Sequence, residues 1–471
     1  MQDVARNVAP ASKARKHLPV VPSADDVQSS LAADGRRRFV YPADVRGRFV
    51  TRRRAIFAAL VAVWLALPLV KIGGHPALFL DVATRQFYLF GATFNAQDAW
   101  LLVFVVTGIV FALALTTALF GRVFCGYACP QTVFLEGLFR PIERLVEGPR
   151  EKRMRRDHGP LTFDKVWRKV VKHTLFFGAA AFVAHVMLSF FVSVPATLAM
   201  VRGNPADHPE AFAWASAVTL VLYGNFAWFR EQVCLIVCPY GRLQSTLLDD
   251  DTWVIGYDEK RGEPRGKVHD TGAGDCIDCK RCVAVCPTGI DIRNGLQLDC
   301  IGCTACIDAC DEIMDKVERP RGLIRYDSLT GFAGKKRRIL RPRLAAYAAL
   351  GLLGTGAAAF AFSGRTSFEA NLLRERGAPF VIDGDEVRNS YALHIVNKRA
   401  EPQTFELELE APHGFELSIA KSKIELGPME DARVNVVVRA PRGTADREIG
   451  IEVESSTGEE REAKARFVGG N

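Results

Sequence analysis

Five apolar blocks of near 20 residues, set between charged connections, constrain this chain more than any other feature. They cover residues 55–72, 100–120, about 174–194, 211–229 and 344–362. A helix needs about 20 apolar residues to cross a hydrocarbon core of about 30 Å, so each block is predicted to span a membrane. The overall hydrophobic fraction of 49% conceals this, because charges gather between the blocks. A single soluble globule is therefore excluded. The bland alternative, buried core helices, does not account for charge flanks this one-sided. The first block begins 55 residues in, with no small-residue cleavage site after it, so it does not read as a signal peptide.

The flanks set an orientation. Residues 1–54 carry 12 Lys/Arg, residues 121–169 carry 11, and residues 335–343 carry six. The connection between the first two blocks has only Arg85, and that between the third and fourth only Arg202. The positive-inside rule then predicts a cytoplasmic N-terminus, a cytoplasmic 121–169 loop and a C-terminus outside. The net charge of +8 belongs to anionic lipid, not to nucleic acid. The run from Arg150 to Arg156 reads as a solvated, lipid-facing cluster.

Residues 1–54 are basic and without period, and are expected to form a disordered cytoplasmic arm. Residues 365–471 carry 15 Lys/Arg against 20 Asp/Glu and contain no Cys. About seven β-rich runs recur there, near Val381, Tyr391, Thr404, Phe415, Val434, Ile449 and Ala463, with Gly, Pro and Asn between them. This predicts an immunoglobulin-like β-sandwich without the disulfide. A sandwich carries no activity by itself, so a docking role is its default.

The 12 cysteines are clustered, and all fall on the predicted cytoplasmic side. That compartment is reducing, which favours metal or redox work over disulfides. Cys276, Cys279, Cys282 and Cys286 form C-x2-C-x2-C-x3-C before Pro287, and Cys300, Cys303, Cys306 and Cys310 repeat it thirteen residues later. This run holds two [4Fe–4S] clusters in bacterial-type ferredoxins, where the fourth Cys of each run serves the other cluster. The first cluster is expected on Cys276, Cys279, Cys282 and Cys310. The second is expected on Cys300, Cys303, Cys306 and Cys286. Zinc usually takes paired cysteines with longer gaps. One departure is Asp311, which follows Cys310 where Pro is usual.

The other four cysteines form two C-x3-C-P motifs, Cys125/Cys129/Pro130 and Cys234/Cys238/Pro239, each a few residues after an apolar block. Spacing of four places each pair on one helical face, and the Pro is expected to end that helix. Soft thiolates suit Cu(I), zinc or an iron–sulfur cluster. The bland reading is small apolar helix residues, but two copies at matching depth favour function. Whether the four make one site, two sites or a third cluster stays open.

With these parts in this order, the chain from about residue 36 onward resembles the FixG/CcoG family, accessory proteins of cbb3-type cytochrome c oxidase. The resemblance implies a multi-pass iron–sulfur protein of the bacterial inner membrane, with clusters cytoplasmic and the sandwich periplasmic. It further implies assembly of that oxidase by reduction of Cu(II) to Cu(I). Cys125, Cys129, Cys234 and Cys238 match the family's membrane-adjacent motif and are the expected catalytic and copper-binding residues. Expected partners are the inner membrane, copper ions, oxidase subunits or copper-handling assembly proteins, and a second copy of the chain.

The predicted fold is thus a polytopic α-helical membrane protein of about five spans, with an inserted two-cluster ferredoxin-like α+β segment and a C-terminal immunoglobulin-like β-sandwich. Its domains are 1–54, 55–240 with both C-x3-C-P motifs, 256–330 with the clusters, 344–362 and 365–471. His75, His173 and His185 do not form the facing pairs a transmembrane haem needs; His185 is kept as a copper or quinone contact. No Gly-rich nucleotide loop follows a strand, and Gly272-Ala273-Gly274 reads as turn chemistry. Two alternatives to a cupric reductase remain: a quinol-linked relay to another respiratory enzyme, and a redox-sensing scaffold without catalysis.

Overall fold

The computed structural model describes Arg37 and residues 39–82, 84–364, 366–399, 401–408 and 413–470. The arm expected over 1–54 lies outside the described residues up to 36. The chain forms two compact units, residues 1–70 with 105–355 and residues 71–104 with 356–471.

The first unit holds the long helices. These are α1 (Arg48–Ala66), α2 (Leu102–Phe120), α3 (Phe163–Val192) and α4 (Pro209–Gly224) with a π-helical extension to Phe229; α2 begins in the second unit, and α5 (Pro342–Ser363) continues from the first into it. Four helices among the described residues are long and apolar enough to cross a membrane: α2, α3, α4 with its extension, and α5. Apolar side chains stand open along α2, as lipid-facing residues would: Val103, Val106, Ile109 and Val110 are each more than half exposed. The first expected span differs. Its helix starts early, at Arg48, and carries Arg52, Arg53 and Arg54 in its opening turns. It stops at Ala66 because Pro68 has no N–H to continue the ladder.

The end of the expected arm is ordered, which corrects the reading of residues 39–54. Tyr41 donates to Asp157 at 2.7 Å and the Ala43 amide to Ala284 at 2.7 Å. The Asp308 carboxylate accepts from the Phe49 and Val50 amides at 3.3 and 2.7 Å, capping the start of α1. These partners lie in distant parts of the chain, which a local scan for period cannot register.

The cysteine-rich segment is a small α+β fold. Strands Val254–Tyr257 and Ile324–Asp327 pair antiparallel, and helices Arg281–Ala284 and Ala305–Lys316 each follow a cysteine loop.

In the second unit, a three-stranded meander (Leu78–Asp81, Gln86–Leu89, Ala92–Asn95) occupies what read as a bare connection. The rest is a sandwich of two antiparallel sheets. One runs Glu416–Ile419, Asp431–Pro441, Glu386–Asn397, Phe368–Arg374, with Val381–Asp383 added; the other runs Lys423–Leu426, Gln403–Glu408, Arg447–Ser455, Glu460–Phe467. Period-two alternation turns Val387, Tyr391, Leu393 and Ile395 inward against Phe405, Val436 and Ile451. Two of these nine strands escaped the sequence. Phe368 and Leu372 repeat at four, which mimics a helix, and Lys423–Leu426 is only four residues long. Lys398 and Asp98 form a buried ion pair at 3.0 Å inside this unit.

Candidate metal centres

The two cysteine runs cross over. One cavity is lined by Cys276, Cys279, Cys282 and Cys310. A second is lined by Cys286, Cys300, Cys303 and Cys306, with Cys282 at its edge. Each run thus sends its fourth cysteine to the other cavity, carried there by the helix that follows its loop. The loops share a backbone device. Asp278 and Lys280 in the first, and Gly302 and Thr304 at the matching places in the second, all have φ between 53° and 69°. Such backbone costs about 1–2 kcal/mol per non-glycine residue. It winds each loop tightly enough to bring three sulfurs round one cavity.

The donor chemistry fits a cubane cluster. Burial pushes the Cys300 thiol up to about 11 and those of Cys303 and Cys310 to about 12, with neighbouring sulfurs adding to the effect. Four thiolates in such a cavity need a cationic core to neutralise them. Among the described residues, no three Cys, His, Asp or Glu side chains close on one point. A cube takes one sulfur per iron and keeps the sulfurs apart.

The C-x3-C-P motifs share a second geometry. Cys125 lies in the helical turn Val123–Tyr127 and Cys234 in the π-turn Val233–Val237. Cys129 and Cys238 are extended, with ψ of 126° and 111°, and each precedes a new helix, Pro130–Phe134 or Pro239–Leu247. This corrects the expectation of two cysteines on one helical face with Pro ending it. The residue before a proline is steered out of the α region, and proline is favoured as the first residue of a helix. The Pro therefore opens the next helix, and the second Cys sits at the break. Amides of Gln131 and Thr132 at that helix start face the Cys129 sulfur and favour its thiolate, although burial raises its pKa overall.

The four sulfurs lie within electrostatic reach of one another. Cys125 feels the charge of Cys129 and Cys238, and Cys234 that of Cys129, Cys125 and Cys238. Burial, reinforced by these neighbours, raises Cys125 to about 11 and Cys234 to about 12. Gln244 lies against the Cys125 sulfur at 3.4 Å.

This group abuts the second ferredoxin loop. Cys125 and Cys234 pack on the apolar cluster that contains Cys303. A Cβ on Gly126 would stand 2.6 Å from the Gly302 carbonyl oxygen, so the two backbones touch. Tyr127 and Thr304 join their hydroxyls at 2.9 Å, and Arg122 donates to the Cys300 carbonyl at 3.3 Å.

Three relatives and three family models match the chain. A 4Fe-4S dicluster domain matches residues 229–329, a 4Fe-4S binding domain residues 100–149, and the IG-like fold at the C-terminus of FixG residues 358–470. The nitrogen fixation protein FixG of Rhizobium meliloti is 31% identical over 460 residues, covering 87% of each chain. The chain belongs to the FixG family. Protein RdxA of Cereibacter sphaeroides is 33% identical, covering 86% of this chain and 90% of that one. A crystal structure of a FixG-related protein from Vibrio parahaemolyticus covers 23% of this chain and 100% of that one, at 22% identity and a TM-score of 0.21. The FixG-family chain is thus a membrane iron–sulfur protein of oxidoreductase-like electron transfer, with a C-terminal immunoglobulin-like domain.

Arg230, Glu231 and Arg140 flank the motifs in the sequence, where they read as anchors of helix ends; what the sequence does not show is their joining in one ion network with Glu143. Arg230 is 2% exposed and meets both Glu143 oxygens at 3.1 Å. Arg153 reaches Glu143 at 2.8 Å and Lys172 reaches Glu147 at 3.1 Å. Burial alone would raise the Glu143 carboxyl, but Arg230, Arg153 and Lys172 reverse this and hold it at about 2. Arg153 thereby leaves the lipid-facing cluster expected of Arg150–Arg156. Three histidines have partners within or beside their own elements. His185 bonds the Ala181 carbonyl at 2.7 Å, His173 the Tyr223 hydroxyl at 3.0 Å, and His75 stacks on Tyr88. Asp311, in place of the usual Pro, accepts from the Gly322 amide at 3.0 Å.

Proposed function

We propose that this protein reduces Cu(II) to Cu(I) at Cys125, Cys129, Cys234 and Cys238, in support of cbb3-type oxidase assembly. The observation that carries this reading is the backbone contact of Gly126 with Gly302, which seats the four sulfurs beside the second cysteine loop. On this reading Cys276, Cys279, Cys282 and Cys310 hold one [4Fe–4S] cluster, and Cys286, Cys300, Cys303 and Cys306 the other. Bound clusters supply one-electron storage at low potential.

The remaining work falls on the chain. Soft sulfurs receive the copper substrate and favour its Cu(I) state. Arg122 and Tyr127 fix the distance between the sulfur group and the loop of Cys300 and Cys303. The basic connections support a cytoplasmic side for all 12 cysteines and a periplasmic sandwich, where oxidase subunits or copper-handling proteins would dock.

Anaerobic, dithionite-treated protein mixed with Cu(II) tests the reading, with Cu(I) counted by a colorimetric chelator. The double variant Cys125→Ala/Cys234→Ala is expected to lose Cu(I) formation while keeping about eight irons per chain. Equal Cu(I) from that variant sinks the proposal. A second reading, a third cluster on the same four sulfurs, draws on the match of residues 100–149 to a 4Fe-4S binding domain. It requires about twelve irons per chain.

A further inference from the structure

A separate cavity of about 330 Å³ opens beside Cys300, within the usual range for small-molecule sites. Its walls are mostly apolar: Leu248, Trp253, Leu296 and Leu298, with Tyr326. It lies where a spanning helix ends. Phe120, the last residue of α2, meets the Trp253 ring edge-on at 5.8 Å, and the Trp253 amide donates to Leu119 at 3.2 Å. Trp253 and Leu298 are both partly open, 40% and 45% exposed. An aromatic residue so placed marks the membrane–water boundary.

The polar groups narrow the ligand. Arg122 is the one charged residue among the described lining, and it is already engaged. Its guanidinium donates to the carbonyls of Leu298 and Cys300, and to that of Gly241 at 2.7 Å. A phosphate-bearing carrier such as a nicotinamide or flavin nucleotide would have to compete with three carbonyls for that guanidinium. Ser245, Thr246 and Tyr326 donate their hydroxyl hydrogens to the carbonyls of Arg242, Leu243 and Gly302. Their oxygens keep lone pairs that can accept from O–H donors. Apolar walls, a mouth at the membrane boundary and hydroxyl acceptors suit one class of redox carrier, a lipid-soluble quinol.

We propose that this cavity binds the ring of a quinol and is the entry point for electrons. The inference rests on the reading of the neighbouring cysteines as cluster ligands. Oxidation of one quinol to quinone releases two electrons and two protons. The electrons match the one-electron capacity of two [4Fe–4S] clusters, and the protons leave to water through the open mouth. Entry beside Cys300 and exit past Cys303 would then use one loop.

The test uses the full chain in lipid nanodiscs. A photoreactive azidoquinone is expected to label residues 245–255 or 296–302, read by mass spectrometry. Ser245→Phe fills the cavity without touching a cysteine. It is expected to weaken saturable tryptophan quenching by oxidised decylubiquinone at least about tenfold. It should also abolish anaerobic cluster reduction by decylubiquinol, while dithionite still reduces the clusters and Cu(I) still forms. Labelling confined to other segments, or wild-type quinone affinity in Ser245→Phe, overturns the inference. Wild-type protein that oxidises quinol yet yields no Cu(I) would remove the copper reading and leave the quinol site supported.

Discussion

Gly126 and Gly302 face each other with no room for a side chain: a Cβ on Gly126 would lie 2.6 Å from the Gly302 oxygen, and one on Gly302 would lie 2.9 Å from the Arg122 oxygen. Two segments 176 positions apart therefore meet backbone to backbone. Gly302 also needs its φ of 69°, where a side chain would strain the loop. Gly126→Ala should force the C-x3-C-P segment off the Cys300 loop, at a cost of about 1–3 kcal/mol. We expect iron content to hold and Cu(I) formation to fall, read by iron analysis and the copper chelator on one sample. Unchanged Cu(I) formation would disconnect this contact from electron delivery.

The crossed cavities make a prediction about which cysteines share a fate. Cys310→Ser should damage the same cluster as Cys276→Ser, and Cys286→Ser the same one as Cys303→Ser. Each single variant should lose about four of eight irons. Electron paramagnetic resonance of the reduced proteins reports which signal survives. If Cys310→Ser pairs with Cys303→Ser instead, the ligand sets are wrong.

Glu143 is buried among Arg230, Arg153 and Lys172. Removing one partner of a buried pair costs about 3–5 kcal/mol, because the others keep uncompensated charge. Glu143→Gln should therefore lower the melting temperature markedly, and Glu143→Gln/Arg230→Met should recover part of the loss. Thermal melts of both variants in one detergent give the comparison.

The same carboxyl sets an acid limit. Its folded pKa of about 2 lies below its ordinary value of 4.5. Its stabilisation is fully present above pH 4.5 and is lost as pH falls toward 2. Wild-type protein should lose stability across that window, and Glu143→Gln should show a shallower slope there. Equal slopes in denaturant melts at pH 5, 4 and 3 would contradict the assignment.

Asp308 caps α1 through the Phe49 and Val50 amides. Asp308→Ala should cost about 0.5–2 kcal/mol and speed hydrogen exchange at residues 48–52. Exchange that stays slow there would mean that packing alone holds the helix start.

Much of the fold was legible in the chain itself. Length and apolarity marked four of the spans, because a bilayer demands both of any helix that crosses it. Alternation at Tyr391, Leu393 and Ile395 marked the sandwich, because a strand sends every second side chain inward. The first block was harder to read. Its arginines and Pro68 moved the helix toward Arg48, where the distant carboxylate of Asp308 receives it. The histidines left no readable signal, since His185 and His173 take partners one turn or one helix away.

The sequence by itself determined the count of sulfurs and their grouping, since loop spacing fixes which three cysteines can wrap one cavity. Only the tertiary structure decided that the two C-x3-C-P pairs come near each other and that Cys125 and Cys234 pack on the apolar cluster of Cys303. Those relations join segments more than a hundred residues apart, and packing of Gly126 on Gly302, not local spacing, sets the distance between them.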